Sequence, residues 1–144
     1  MDNGEHYKKL EHMYSHAKCN EYYNPILTIS DGTAELAIEI QDKFFHSGGA
    51  THGSVYFKAL DDSAFFAVSS IVKDVFVLTV SFNIYLLRPI SWGKMRANGK
   101  VVFSSGTLFM AESIIFDSEG HEIARGSGSF SKSKTKLSPK VGYK

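Results

Sequence analysis

The chain predicts an α+β fold: a mostly antiparallel sheet of five or six strands wrapped around one long central helix, with an extra helix in front of it. A helical pattern covers residues 52–71, and strand patterns follow it in series. Only one helix comes after the first strands, whereas a doubly wound fold would need a helix after each strand. With 144 residues, the chain is one domain's worth and long enough to bury a sizeable core without staples.

Each element has its own signal. Residues 5–20 carry Tyr7, Leu10, Met13, Tyr14 and Ala17 at helical spacing, and Asn24-Pro25 ends that helix. Residues 26–30 and 33–40 flank Asp31-Gly32, a two-residue hairpin signal, with Ala34, Leu36, Ile38 and Ile40 alternating along the second strand. A loop over 41–51 holds His46-Ser47-Gly48-Gly49. Residues 75–87 alternate, which puts Phe76, Leu78, Val80, Phe82, Ile84 and Leu86 on one apolar face, and Pro89 stops the strand. Three further strands are predicted over 94–105, 107–117 and 121–130, with Ser118-Glu119-Gly120 as the last turn. This divides the chain into an N-terminal helix (1–24), a central domain (25–131) and a basic tail (132–144).

Charge and cysteine content exclude several function classes. The 16 Lys and Arg nearly cancel the 15 Asp and Glu, unlike a dedicated nucleic-acid binder. Cys19 is alone, so an intramolecular disulfide and a cysteine-rich zinc site are both excluded. The first residues lack the basic and apolar regions of a secretory signal, and the run over 75–87 is too short and too polar to span a bilayer. A cytoplasmic setting with no membrane partner is expected. Arg125, Lys132, Lys134, Lys136, Lys140 and Lys144 make the C-terminal region wholly basic. It reads as a solvated terminus, or else as a cationic edge for a phosphorylated ligand.

The central helix is apolar nearly all round. Tyr56, Ala59, Leu60, Ser63 and Ala67 make one stripe, while Phe57, Phe65 and Val68 lie opposite with Asp61 among them. One side faces the sheet, and a second copy of the chain is the simplest cover for the other. Asp61 stands four residues from both Phe57 and Phe65, so desolvation raises its pKa and makes it a candidate base or nucleophile. Taken alone, it fits equally well as a helix acid in a polar rim pocket. Asp62 follows Lys58 by four, the spacing of an ordinary surface ion pair. His52-Gly53-Ser54 opens the helix with small residues, where free N–H groups and the helix dipole can polarise a carbonyl. That is a layout for acyl transfer.

Other candidates are weaker. His12 and His16 are four apart but lack a third metal ligand, so no metal site is expected. Cys19 has no activating neighbours in sequence. Gly126-Ser127-Gly128 does not complete a dinucleotide fingerprint, and Gly48-Gly49 lacks the lysine of a phosphate loop.

Three segments carry a family resemblance: residues 45–54 (FHSGGATHGS), 60–64 (LDDSA) and 80–89 (VSFNIYLLRP). Together with Ala124-Arg125-Gly126, they resemble the hotdog-fold acyl-CoA thioesterases of the PaaI-like branch over about residues 26–131. The resemblance implies a homodimer joined edge to edge, often a dimer of dimers, with active sites between subunits. It implies hydrolysis of an acyl-CoA, or a closely related acyl thioester, with CoA as substrate and no cofactor. Gly53 would bind the thioester carbonyl, and His52 would orient that carbonyl or its helix cap. Asp61 of the other subunit would act as base or nucleophile, and Thr79 would position water. A one-residue shift in the match would put that carboxylate at Asp62. His46 stands where some relatives have Asn, and Ser54 replaces a second helix glycine. His46, Ser54 and Asp62 are candidate substrate contacts, as is Arg125, whose guanidinium suits a CoA phosphate. Phe57, Phe65 and Phe66 fit either an aromatic acyl pocket or a dimer interface. An acyl-CoA-binding module with little turnover is the alternative function. A dehydratase would carry a histidine motif that this chain lacks.

Overall fold

A computed structural model describes residues 1–144. Helix α1 (Asn3–Ser15) and a 3-10 turn (Lys18–Asn20) precede the hairpin of β1 (Ile26–Ser30) and β2 (Thr33–Glu39). Helix α2 (Gly53–Ser69) is followed by β3 (Val75–Leu86), β4 (Lys94–Ser104), β5 (Leu108–Phe116) and β6 (Glu122–Lys136). The six strands form one antiparallel sheet in the order β1-β2-β4-β5-β6-β3, and α2 packs against all of them. This is the predicted architecture.

The helix seats closely because the sheet makes room for it. Gly99 lies directly under the Ser63 carbonyl and the Ala64 nitrogen, where a Cβ would collide with backbone. Beside it, the Ser113 hydroxyl donates to the Leu60 carbonyl at 2.9 Å. Leu36, Ile38, Ala59, Leu60, Met95 and Ile115 fill the interior with almost no exposed surface.

Three expectations are corrected. First, β3 does not alternate strictly. Register shifts fall between Val75 and Val77 and between Thr79 and Ser81. An extra residue reverses which side chains face the helix. Val77 is buried and Thr79 points inward, whereas Leu78 and Val80 are 49% and 63% exposed. Past the bulge, Phe82 and Ile84 take the inward places, and Phe82 lies over the bare backbone of Gly126 and Gly128.

Second, the far side of α2 is largely covered by its own chain. Val68 is fully buried with Val72, Val77, Phe109 and Phe130, and Phe65 packs on Phe76 and Phe130. Phe57 stays 41% exposed. Third, the C-terminal segment is not a loose end, although Lys132, Lys134, Lys136, Lys140 and Lys144 themselves stay exposed. Strand β6 runs on to Lys136, and Tyr143 is 6% exposed. The buried His6 donates from Nε2 to the Ser69 carbonyl at 2.9 Å, which leaves Nδ1 to accept from the Tyr143 hydroxyl at 2.6 Å. The chain end thus ties α1 to the end of α2.

Two stability outcomes follow from this packing. Gly99→Ala forces α2 off the sheet and should destabilise the fold by about 1–3 kcal/mol, read as a lower Tm. Removing residues 137–144 should also lower Tm, because it deletes Tyr143 from the core and orphans buried His6; a solvated end would leave Tm unchanged.

Candidate active site

The first turn of α2 forms one half of the candidate site. His52 is the N-cap, in extended conformation, and its Nδ1 accepts the Ser54 N–H at 3.0 Å and lies 2.8 Å from the Ser54 hydroxyl. The Val55 N–H bonds the His52 carbonyl at 3.1 Å. These bonds leave the Gly53 N–H without a partner. It borders a cleft of about 470 Å³ with His46, Tyr56 and Arg88. A side chain on Gly53 would press on Leu86 Cδ1 at 3.1 Å, so glycine keeps the amide approachable. His46 Nδ1 accepts the Gly48 N–H at 2.9 Å, which holds the loop that feeds the helix. No acidic side chain offsets the positive helix end.

Asp61 forms the other half. Its Oδ1 accepts from the Thr79 hydroxyl at 2.9 Å. Burial pushes its pKa up to about 6, and the nearby Asp62 charge adds to the rise; the Thr79 bond and Lys58 oppose it. Oδ2 carries no bond within the chain. The carboxylate faces a hollow of about 200 Å³ between α1 and α2.

Asp62 plays a different part. Sequence spacing predicts a surface ion pair, yet Lys58 Nζ and Asp62 Oδ2 meet at 2.8 Å with both side chains only 15% exposed. The Tyr14 hydroxyl also donates to Asp62 at 2.6 Å, and Lys58 lies over the rings of Tyr14 and Tyr23. Asp62 therefore anchors α1 to α2. Tyr14 was legible in sequence only as an apolar helix position, since its polar partner lies 48 residues away.

The structure thus groups His46, His52 and Gly53 at one hollow, and Asp61, Asp62 and Thr79 at another, while Ser54 lines neither and bonds His52. Arg125 joins neither. Its guanidinium is paired twice with Glu122, both bonds at 2.7 Å, on the sheet face away from the buried Ala124. Gly53 and Asp61 are eight residues apart on one helix, about 12 Å along its axis. His12 and His16 stack on each other, and each spends Nδ1 on a backbone carbonyl.

A helix-start amide open to a ligand and a raised carboxylate on the same helix match a known class. The sequence profile described as Thioesterase superfamily matches residues 48–124, over half of the chain. The chain belongs to that superfamily. A Saccharolobus solfataricus protein named a candidate esterase is 25% identical over 115 residues, covering 80% of this chain and 82% of its own. A second, from Sulfurisphaera tokodaii, is 29% identical over 69% of this chain and 74% of its own. The fold matches the PaaI protein of the Escherichia coli phenylacetic acid degradation operon with a TM-score of 0.85 at 14% identity, covering 94% of this chain and 99% of that one. A Haemophilus influenzae thioesterase superposes with a TM-score of 0.77 at 16% identity, covering 87% and 88%. The chain is thus a hydrolase of the thioester and ester class. No helix is long and apolar enough to cross a membrane.

The raised pKa of Asp61 has a stability consequence. The folded state holds this proton more tightly than the unfolded chain, whose carboxyl has the ordinary value of 3.8. That contribution is complete below 3.8 and lost as pH rises through about 6. Asp61→Asn, which cannot ionise, should therefore raise stability by about 1–3 kcal/mol near pH 7.5 and by almost nothing near pH 4. Denaturant midpoints at the two pH values measure this.

Proposed function

We propose that this chain hydrolyses an acyl-CoA thioester to free acid and thiol at sites shared between two subunits. The observation that carries the reading is the separation of the open Gly53 amide from Asp61 along one helix, about 12 Å. One carbonyl cannot meet both within a subunit, whereas a second copy can bring its Asp61 to the Gly53 of the first. The edge strand β3, which presents Leu78, Val80 and Tyr85 to solvent, supports an edge-to-edge dimer. Phe57 would be covered by the same contact.

In this reading the Gly53 N–H and the dipole of α2 hold the thioester oxygen. Asp61 of the partner subunit, with Oδ1 steadied by Thr79, takes a proton from water on Oδ2. The water oxygen bonds to the acyl carbon, the C–S bond breaks, and the thiolate leaves and is protonated. A pKa of about 6 keeps Asp61 mostly ionised near neutral pH and still basic enough to accept the proton. His52, bonded to Ser54, caps the amide-bearing turn, and His46 lines the entrance. Arg125, already neutralised by Glu122, contributes little to CoA binding in this reading.

Thiol release from acyl-CoAs tests the proposal. kcat/KM should rise with pH through about 6 as Asp61 ionises. Asp61→Asn should lower kcat by about 10² or more while the protein remains folded and dimeric. Asp62→Asn should lower kcat less than about tenfold and act mainly on stability, since it removes an anchor rather than a base. A reversed ranking would make Asp62 the catalytic carboxylate. Tight acyl-CoA binding without thiol release would favour the binding-module function, and a stable monomer in light scattering would remove the shared site.

A further inference from the structure

One wall of the half-open hollow beside Asp61 comes from residues that lie outside the family-matched segment. Met13 and Ala17, on α1 and at its foot, form one wall, facing Phe65 and Phe66 of α2 and Phe76 of β3. Its volume is about 200 Å³. A second, roomier hollow of about 450 Å³ lies on the other side, and Met13, Ala17 and Phe76 border both. They are the partition between the two. The partition is held firmly: Tyr14, next to Met13, bonds Asp62 at 2.6 Å and packs edge-on against Phe66, and the Asn20 amide donates to the Tyr14 carbonyl at 2.7 Å.

We infer that Met13 and Ala17 are the specificity-determining end wall of an acyl chamber that opens at Asp61, so that the chain takes compact acyl groups and turns away long ones. This rests on the thioester-hydrolase reading above. The scale follows from volume: an apolar cavity of about 150 Å³ accommodates benzene, so the chamber beside Asp61 holds roughly a single ring or a short chain. A longer acyl chain meets the Met13 side chain, whose removal would join the two hollows. Phe65 and Phe66 act as chamber walls, whereas Phe57 sits against Phe82 near the sheet edge and is not among them.

The test is thiol release from butanoyl-, hexanoyl-, octanoyl- and dodecanoyl-CoA by the full chain and by two variants acting in opposite directions. The unsubstituted protein should lose kcat/KM steeply between the shorter and longer substrates. Met13→Ala should raise the dodecanoyl-to-butanoyl ratio of kcat/KM by about tenfold or more, and Ala17→Phe should lower the octanoyl-to-butanoyl ratio by a similar factor. Each ratio compares substrates on one preparation, so partial loss of folded protein cancels, and Ala17→Phe reads the wall even where Met13→Ala fails to fold. Equal efficiency on all four substrates, or ratios unmoved in both variants, would overturn the inference. Binding of the same four CoA esters to Asp61→Asn separates it from the parent reading. A length preference in binding that both wall variants shift, without turnover by the unsubstituted protein, supports the wall and overturns the hydrolase. Turnover with no length preference does the opposite.

Discussion

The seating of α2 against the sheet is the constraint on which the rest of the structure depends. A helix crowded by six strands can approach closely only where the sheet offers no side chain, and Gly99 supplies that place under Ser63 and Ala64. Ser113 then satisfies the Leu60 carbonyl from below. With the helix set this deep, most of its circumference is buried, and its N-terminus is delivered to the cleft beside Leu86 and Arg88. The stripe holding Asp61 is left partly desolvated rather than either solvated or sealed. A half-turn difference in rotation would bury the carboxylate without a partner or expose it with an ordinary pKa.

Two adjacent acids on that helix show how context divides one chemistry into two roles. Asp62 is compensated by Lys58 and Tyr14 and serves to fasten α1. Asp61 is desolvated by burial and feels the charge of Asp62, and its single hydroxyl partner offsets this only in part, so its proton is held longer. The anchoring acid therefore also tunes its neighbour. The fold carries the cost of an ionised, half-desolvated Asp61 at neutral pH, a pattern common where stability and activity pull apart.

The bulge in β3 matters for the same reason. With strict alternation, Thr79 and Phe82 would point to opposite faces. The extra residue lets Thr79 reach Asp61 while Phe82, three positions on, still covers the Gly126–Gly128 backbone. Those glycines, inside a strand, are a seat for an aromatic ring rather than a phosphate-binding turn.

The sequence by itself determined the element order, the buried faces of β1 and β2, the start of α2 at His52 and the singular position of Asp61, because each depends on periodicity and capping within a few residues. The family segments narrowed the fold further. The bulge, the burial of the Lys58–Asp62 pair, the role of Tyr14 and the docking of Tyr143 on His6 were decided only by the tertiary structure. Each joins groups far apart in the chain or depends on a register shift that no local pattern marks. Lys58 and Asp62 have the same spacing whether exposed or buried; only the arrival of α1 removes water from them and turns a weak surface pair into a fastening.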